Sequence, residues 1–172
     1  MTEAVSDTPL NIVSRSEEET RALGATIGGL LQPGDVVLLH GDLGSGKTTL
    51  TQGIAKGLGI DDYVQSPTFT LVAEHAGITS ENAQLMLYHL DLYRLTNPAE
   101  LESFGYEDLV TQSEGVVVVE WPERAGDNLP DEYLLIIIDP MGPGERLLTL
   151  QSVPLHGPER RIIEGLRSLQ RR

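Results

Sequence analysis

Hydrophobic residues along this chain alternate between short runs of strand length and longer stretches with helical spacing. The predicted strands are 10–13, 36–39, 69–74, 85–90, 116–119, 133–138 and 146–151. A link rich in glycine and proline, at 142–145, joins the last two of them. So short a link favours an antiparallel hairpin at the C-terminal end of the sheet.

Amphipathic helices are predicted between the strands. Ser16 and Glu19 have the spacing of a capping box, and Leu23 and Ile27 continue at helical spacing towards a stop near 32–35. A second helix follows the strand at 36–39, a short capped helix begins at Asn97, and an amphipathic helix closes the chain. The alternation predicts an α/β fold, with a central mostly parallel sheet flanked by helices.

A glycine-rich segment joins the strand at 36–39 to the second helix. Gly41, Gly46, Lys47 and Thr48 fit the G-x-x-x-x-G-K-[ST] spacing of a phosphate-binding loop, or P-loop. Such a loop turns N–H groups towards phosphate oxygens, and the helix after it adds about half an elementary charge at the same point. The context therefore predicts a P-loop NTPase, in which Lys47 reaches the β- and γ-phosphates and the Thr48 hydroxyl binds Mg²⁺.

Two predicted strands end in an acidic residue. Asp91 follows the strand at 85–90, and Glu120 follows the strand at 116–119. In a P-loop domain, an acid at the carboxyl end of a neighbouring parallel strand lies across from the loop, where it holds Mg²⁺ or orients the attacking water. The unbroken β-branched run at 116–119 is typical of a central parallel strand. It favours Glu120 as the magnesium-side acid, with Asp91 second.

Hydroxyl groups flank Pro67 in the segment 65–70, Q-S-P-T-F-T. A loop of this kind can sense the γ-phosphate or its magnesium as a nucleotide switch does. The same residues fit a turn into the strand at 69–74 equally well. Both interpretations stay open from the spacing.

Length and composition restrict the class of protein. A chain of 172 residues predicts one domain over 1–172, with 1–13 as a loose lead. No apolar run approaches the roughly 20 residues of a membrane span, and the acidic N-terminus lacks the layout of a signal peptide. We therefore expect a cytoplasmic protein. The absence of cysteine excludes disulfides and thiolate chemistry, and the four histidines, at 40, 75, 89 and 156, are expected at strand ends or on the surface.

The charge balance is strongly acidic. Twelve basic and 26 acidic residues give a net charge of −14, which opposes extensive contact with a polyanion. We expect no DNA partner, no membrane contact, and tRNA contact only through a partner. The exception is the basic tail, 158–172, with five arginines and two glutamates. It fits a helix packed on the domain better than a docking helix for an acidic partner.

Four motifs together resemble one family. They are G-D-L-G-S-G-K-T-T at 41–49, S-P-T-F at 66–69, H-L-D-L-Y-R at 89–94 and V-E-W at 119–121. In order and interval they are similar to the small bacterial ATPases of tRNA threonylcarbamoyladenosine biosynthesis, the TsaE or YjeE family. The resemblance covers roughly residues 16–150. It implies a domain that binds ATP and Mg²⁺ and drives a cycle of the TsaB–TsaD complex, which transfers threonylcarbamoyl to adenosine 37 of certain tRNAs.

The same resemblance assigns roles to residues at the matching positions. It makes Thr48 and Glu120 the magnesium-side residues and Asp91 a further acid important for hydrolysis. Residues implied around the nucleotide are Ser14, Ser16, Gly41, Gly44, Ser45, Gly46, Lys47, Thr48, Thr49, Thr68 and Arg146. Catalysis is expected from Lys47, Asp91 and Glu120, and Ser66–Thr68 becomes a switch-like loop.

Other functions share a P-loop. A small-molecule kinase is the main alternative, but it usually has an arginine-bearing lid, and Arg94 and Arg124 are the only arginines near the two acidic strand ends. A GTPase usually carries N-K-x-D, and no Asn-Lys pair occurs here. A nucleotide-gated interaction module differs only in lacking turnover. The predicted ATPase is expected to be slow alone, with an arginine supplied by a partner or by Arg94.

Overall fold

The computed structural model describes residues 8–79 and 81–172. The strands are β1 (Leu10–Ser14), β2 (Val36–His40), β3 (Val72–Ile78), β4 (Gln84–Asp91), β5 (Val116–Glu120), β6 (Tyr133–Gly142) and β7 (Glu145–Val153). The α-helices are α1 (Glu17–Leu30), α2 (Lys47–Gly57), α3 (Tyr106–Gln112) and α4 (Arg160–Gln170), and two 3₁₀-helices span Pro98–Phe104 and Pro122–Ala125. None of the helices in these described ranges is long and apolar enough to cross a membrane.

The strands of the described residues form one seven-stranded sheet in the order β1-β7-β6-β2-β5-β4-β3. The four central strands, β6, β2, β5 and β4, are mutually parallel. The outer pairs β1–β7, β6–β7 and β3–β4 are antiparallel. The predicted α/β fold is confirmed, with a central mostly parallel sheet and β6–β7 as the C-terminal hairpin.

Both faces of the central strands are buried, which explains their unbroken apolar sequences. On one face, residues such as Leu39 and Val118 pack in the same cluster as residues of α1, α2 and α4. On the other face, Leu38 and Val119 pack with residues of the 3₁₀-helices and α3. A strand covered on both sides has no solvated face to carry polar residues.

Glycines bring α1 and α2 into unusually close contact. A Cβ atom at Gly28 would lie 2.3 Å from the Ile54 carbonyl oxygen, and one at Gly57 would lie 2.2 Å from the Ala25 carbonyl oxygen. Any side chain at these positions therefore forces the two backbones apart. Since the P-loop leads directly into α2, this contact fixes the helix that the phosphate site depends on.

Several predicted boundaries need correction. Strand β3 begins at Val72 and not at 69, because the Leu71 N–H donates to the Pro67 carbonyl at 2.9 Å and closes a turn. Leu71 has a φ of 68°, which no strand residue adopts. Helix α3 was not predicted. Residues 1–7 of the loose lead at 1–13 lie outside the described residues, and the strand predicted at 10–13 is confirmed as β1.

The basic tail forms α4 and packs on the domain, as the favoured interpretation predicted. Ile162 and Leu166 are buried in the cluster that also holds residues of α1. The Arg161 guanidinium donates to the Asp35 carboxylate, and that of Arg167 donates to the Thr8 carbonyl. These arginines therefore fasten the helix to the rest of the domain.

Candidate functional site

The carboxyl ends of β2, β4 and β5 open into one cleft of about 380 Å³. Its lining residues are Glu17, Leu43, Gly44, Ser45, Gly46, Lys47, Thr48, Thr49, Ser66, Thr68, Asp91, Tyr93, Glu120, Trp121 and Arg146. Every residue predicted around the nucleotide or in catalysis is among them, apart from Ser14, Ser16, Gly41 and Arg94. The fold thus brings together residues that lie more than a hundred positions apart in the sequence.

The P-loop conformation depends on its glycines. Gly44 and Gly46 have φ angles of 77° and 108°, which L side chains rarely adopt. A Cβ atom at Gly41 would lie 2.6 Å from Ser45 Oγ, so the loop folds back on itself there. Ser45 Oγ is buried and has no hydrogen-bond partner among the described residues. A hydroxyl without a protein partner within the loop is consistent with a hydrogen bond to a ligand oxygen.

Lys47 begins α2 and lies at the bottom of the cleft. Its ammonium donates to the Gly41 carbonyl and, at 2.9 Å, to the Asp42 carbonyl. The indole ring of Trp121 lies 4.1 Å from Nζ, measured to the ring centroid. Burial lowers the pKa of Lys47, and the carboxylates of Glu120 and other nearby acids partly oppose that shift. A cation held mainly by neutral carbonyls is available to an anionic ligand.

Glu120 meets the P-loop through Thr48. The Thr48 hydroxyl donates to Glu120 Oε1 at 3.1 Å, and the glutamate is only 2% exposed. The parallel register pairs Glu120 with Leu39 of β2 and with Asp91 of β4, so the two acids end neighbouring strands side by side. A hydroxyl and a carboxylate are oxygen donors of the kind Mg²⁺ binds, and Thr48 and Glu120 therefore fit this ion.

Asp91 contacts a different segment. Its Oδ1 accepts from the Tyr93 N–H at 2.9 Å, and its Oδ2 accepts from the Ser66 hydroxyl. The Thr68 hydroxyl lies 3.5 Å from the same Oδ2. The segment 66–71 is therefore a turn into β3 that is also tethered to a cleft acid, and its role as a nucleotide switch stays a prediction.

Arg146 and the two N-terminal serines occupy different surroundings. A Cβ atom at Gly46 would lie 2.6 Å from Arg146 Nε, so the guanidinium group lies directly against the P-loop. Ser14 Oγ lies 2.7 Å from Thr20 Oγ1, and the Ser16 hydroxyl accepts from the Glu19 N–H as the cap of α1. Neither serine lines the cleft, and their contact with a nucleotide stays a prediction.

Two functional neighbours escaped the sequence analysis. His89 lies two residues before the end of β4 and is completely buried, with Nε2 2.5 Å from Glu120 Oε2, so the surface alternative is wrong. The alternation of β4 carried the signal, because residues 89 and 91 share a face of the sheet. Trp121 entered the sequence analysis only as the last residue of the V-E-W motif. Its φ is 60°, and its indole ring lies beside the Lys47 ammonium.

Arg94, considered as an arginine for catalysis in the same chain, lies elsewhere. Its guanidinium carbon is 4.3 Å from the ring centroid of Phe69, which is 81% exposed. Arg94 is not among the residues that line the cleft. The arginine beside the P-loop is Arg146.

Comparison with known proteins gives a consistent result. The family model described as "Threonylcarbamoyl adenosine biosynthesis protein TsaE" matches residues 14–147. The chain is similar to the tRNA threonylcarbamoyladenosine biosynthesis protein TsaE of Bacillus subtilis, with 42% identity over 79% of this chain and 81% of the relative. The protein of the same name from Treponema pallidum is 39% identical over 82% of this chain and 99% of the relative.

A solved structure agrees with the sequence matches. The crystal structure of YdiB from Bacillus subtilis superposes with a TM-score of 0.72 and 34% sequence identity, covering 99% of this chain and 98% of that one. The matched family region contains the P-loop, both strand-end acids and Arg146. The chain therefore belongs to the TsaE family of threonylcarbamoyl adenosine biosynthesis proteins.

Proposed function

We propose that this protein is a Mg²⁺-dependent ATPase that serves the formation of threonylcarbamoyladenosine in tRNA. Its family membership supports the pathway and the binding of a nucleotide. The observation that best supports hydrolysis is the hydrogen bond from the Thr48 hydroxyl of the P-loop to Glu120 Oε1 of β5. The two oxygen atoms are 3.1 Å apart, and the Glu120 carboxylate also acts electrostatically on the Lys47 ammonium. A phosphate cradle, a cation and a metal-binding pair thus converge in one cleft.

The residues of the cleft divide the chemistry among them. The backbone N–H groups from Gly44 to Thr49 and the Lys47 ammonium bind the phosphates, and Arg146 lies where it adds positive charge to them. Thr48 and Glu120 would hold Mg²⁺, which would supply positive charge against the phosphate oxygens. Asp91 holds the loop at 66–68 and supports hydrolysis through that loop.

Turnover by the isolated protein is expected to be slow. Phosphoryl transfer depends on positioning and charge stabilisation, and the cleft is open to solvent. We propose that a TsaB–TsaD type complex covers the cleft and completes the charge stabilisation, and that tRNA is reached only through that complex. The net charge of −14 supports this indirect contact. A cytoplasmic location and a single domain over 1–172 stay predictions.

Calorimetry and product analysis test the proposal. Titration of ATP into the protein is expected to show saturable binding that strengthens with Mg²⁺ and is lost in Lys47→Ala. Release of ADP should rise on addition of the TsaB–TsaD pair. Absence of ATP binding, alone and in the assembly, would overturn the proposal. Transfer of the γ-phosphate to a metabolite instead of water would favour the small-molecule kinase.

A further inference from the structure

His89 lies beneath the cleft and outside its lining. Its side chain is 0% exposed, and Nε2 is 2.5 Å from Glu120 Oε2. The other ring nitrogen, Nδ1, is buried and meets no hydrogen-bond partner in the part of the chain that the structure describes. This histidine therefore contacts the cleft residue Glu120 and does not itself line the cleft.

The surroundings fix which nitrogen carries the proton. An ionised carboxylate only accepts hydrogen bonds, so the short contact requires His89 to donate from Nε2. A proton on Nδ1 would be a buried donor without an acceptor, which is unfavourable. The hydrogen bond therefore runs from His89 Nε2–H to the Glu120 carboxylate.

Two donors hold the carboxylate from different sides. His89 donates to Oε2, whereas Thr48 Oγ1 lies closer to Oε1, at 3.1 Å, than to Oε2, at 3.5 Å. Strands β4 and β5 run in parallel with Asp91 opposite Glu120, so His89, two residues earlier, comes from deeper in the sheet on the same face. One donor is fixed in the core and the other belongs to the P-loop.

We propose that His89 is a positioning residue, which holds the Glu120 carboxylate so that Oε1 faces Thr48 and the metal side of the cleft. Without the Nε2–H donor, the carboxylate is free to turn towards the Lys47 ammonium, on which it already acts electrostatically. That rotation would take one Glu120 carboxylate oxygen away from the proposed Mg²⁺ site. It would also draw the Lys47 ammonium away from the phosphates of a bound nucleotide. The inference rests on the proposed function and adds a residue to it.

Three variants separate the hydrogen bond from packing. His89→Leu removes the donor and keeps an apolar side chain, whereas His89→Gln places an amide N–H near the position of Nε2. Loss of an outer partner of a metal-site residue typically costs about 10–100-fold in metal affinity or activity. We expect a loss of kcat in that range for His89→Leu, a higher Mg²⁺ requirement and a KM for ATP within about threefold of wild type. His89→Gln should recover most of the loss, and Glu120→Gln provides the reference.

Two outcomes would overturn the proposal. In the Glu120→Ala background, His89→Leu should change kcat by less than about twofold, because the carboxylate that His89 holds is absent; a full additional loss would indicate a purely structural role. Wild-type kcat and Mg²⁺ dependence in folded His89→Leu would also overturn it. If wild-type protein itself fails to hydrolyse ATP, the proposed function fails instead, and the two failures are distinguishable.

A measurement without ligand tests the geometry directly. Long-range ¹H–¹⁵N spectra of the imidazole rings, in protein free of nucleotide and metal, report which nitrogen carries the hydrogen. We expect the His89 signal of the Nε2–H tautomer, assigned by its disappearance in His89→Gln, and a shift of that signal in Glu120→Gln. An Nδ1–H tautomer would contradict the proposal even if the variants lost activity.

Discussion

The two ends of the central sheet use buried charge in different ways. At the carboxyl ends of the strands, Lys47, Asp91 and Glu120 surround an open cleft, and Lys47 donates to backbone carbonyls. At the amino end, Asp35 precedes β2 and accepts from Arg161 of α4 and, at 2.7 Å, from the Gln32 N–H. The charged groups at the amino end pair with one another and hold α4 on the domain. Those at the carboxyl end line the cleft.

Strand direction explains the contrast. A parallel strand leads at its carboxyl end into the N-terminus of the next helix, where N–H groups and positive partial charge accumulate. The P-loop joins β2 to α2 in this way. No such convergence arises at the amino ends, where a charge is stabilised only by a local partner. Buried charge therefore indicates ligand binding at one end of the sheet and helix attachment at the other.

The largest effect is expected from Lys47→Ala. Removal of the ammonium takes away the cation proposed to contact the phosphates, and ATP affinity should fall at least about 10³-fold, or about 4 kcal/mol. Because burial already disfavours the charged lysine, the melting temperature should stay close to wild type. Calorimetry and thermal denaturation measure the two effects. Arg161→Met is the matched control, and loss of ATP binding in that variant would remove the contrast between the two ends.

The next effect separates the two cleft acids. Glu120→Gln keeps the shape of the side chain but removes the charge beside Thr48, and kcat should fall about 10²–10³-fold, within the range of charge-stabilising groups. Asp91→Asn mainly weakens the hold on Ser66 and Thr68, so its loss of kcat should be smaller and its KM for ATP higher. Steady-state ADP release measures both. Unchanged turnover in Glu120→Ala would remove the assignment of Glu120.

Much of the cleft was predictable from sequence because its signals are local. The P-loop depends on spacing within eight residues, and the acids are found from where buried strands end. The burial of His89 was not predicted because it depends on the register of β4 against β5. That register places residues 89 and 120 on the same face of the sheet. The start of β3 was missed because Leu71 adopts a positive φ, which its residue type does not favour.

Other features exist only in the folded molecule. Nothing in the separate sequences of α1 and α2 shows that their glycines face one another, although the Gly28 and Gly57 positions leave no room for a Cβ. The contact between Arg146 and Gly46 likewise joins β7 to the P-loop across a hundred residues. The family resemblance indicated Arg146 by position, and only the sheet order explains why it is there.

The third effect concerns stability at the amino end. Arg161→Met removes a guanidinium from the largely buried Asp35 carboxylate, which is 5% exposed. Because Arg161 itself is partly exposed, we expect a loss of about 1–3 kcal/mol, below that of a fully buried pair. Urea denaturation measures the free energy of unfolding. ATP affinity and kcat should be unchanged, and stability equal to wild type would contradict the role of this pair in holding α4.

The smallest effect comes from Glu159, the residue before α4, and it tests whether the amino end also contains an unfavourable charge. The glutamate is 2% exposed, Oε2 has no hydrogen-bond partner within the described ranges, and burial raises its pKa above the ordinary value of 4.5. The folded state therefore holds the Glu159 proton to a higher pH than the unfolded state does.

The sign of the pH dependence follows from that raised pKa. Below about pH 4.5 both states are protonated, and no penalty arises; as pH rises through 4.5 towards the folded-state pKa, the unfolded state gains stability by losing its proton first. Glu159→Gln should raise the melting temperature at pH 7 by on the order of 2 °C, and this gain should shrink as pH falls towards 4.5. Thermal denaturation of both proteins between about pH 4 and 8 measures the difference. A gain that is constant with pH would mean that it does not come from the charge of Glu159, and a gain that grows in acid would mean that the ionised carboxylate is stabilised by its surroundings, as that of Asp35 is by Arg161.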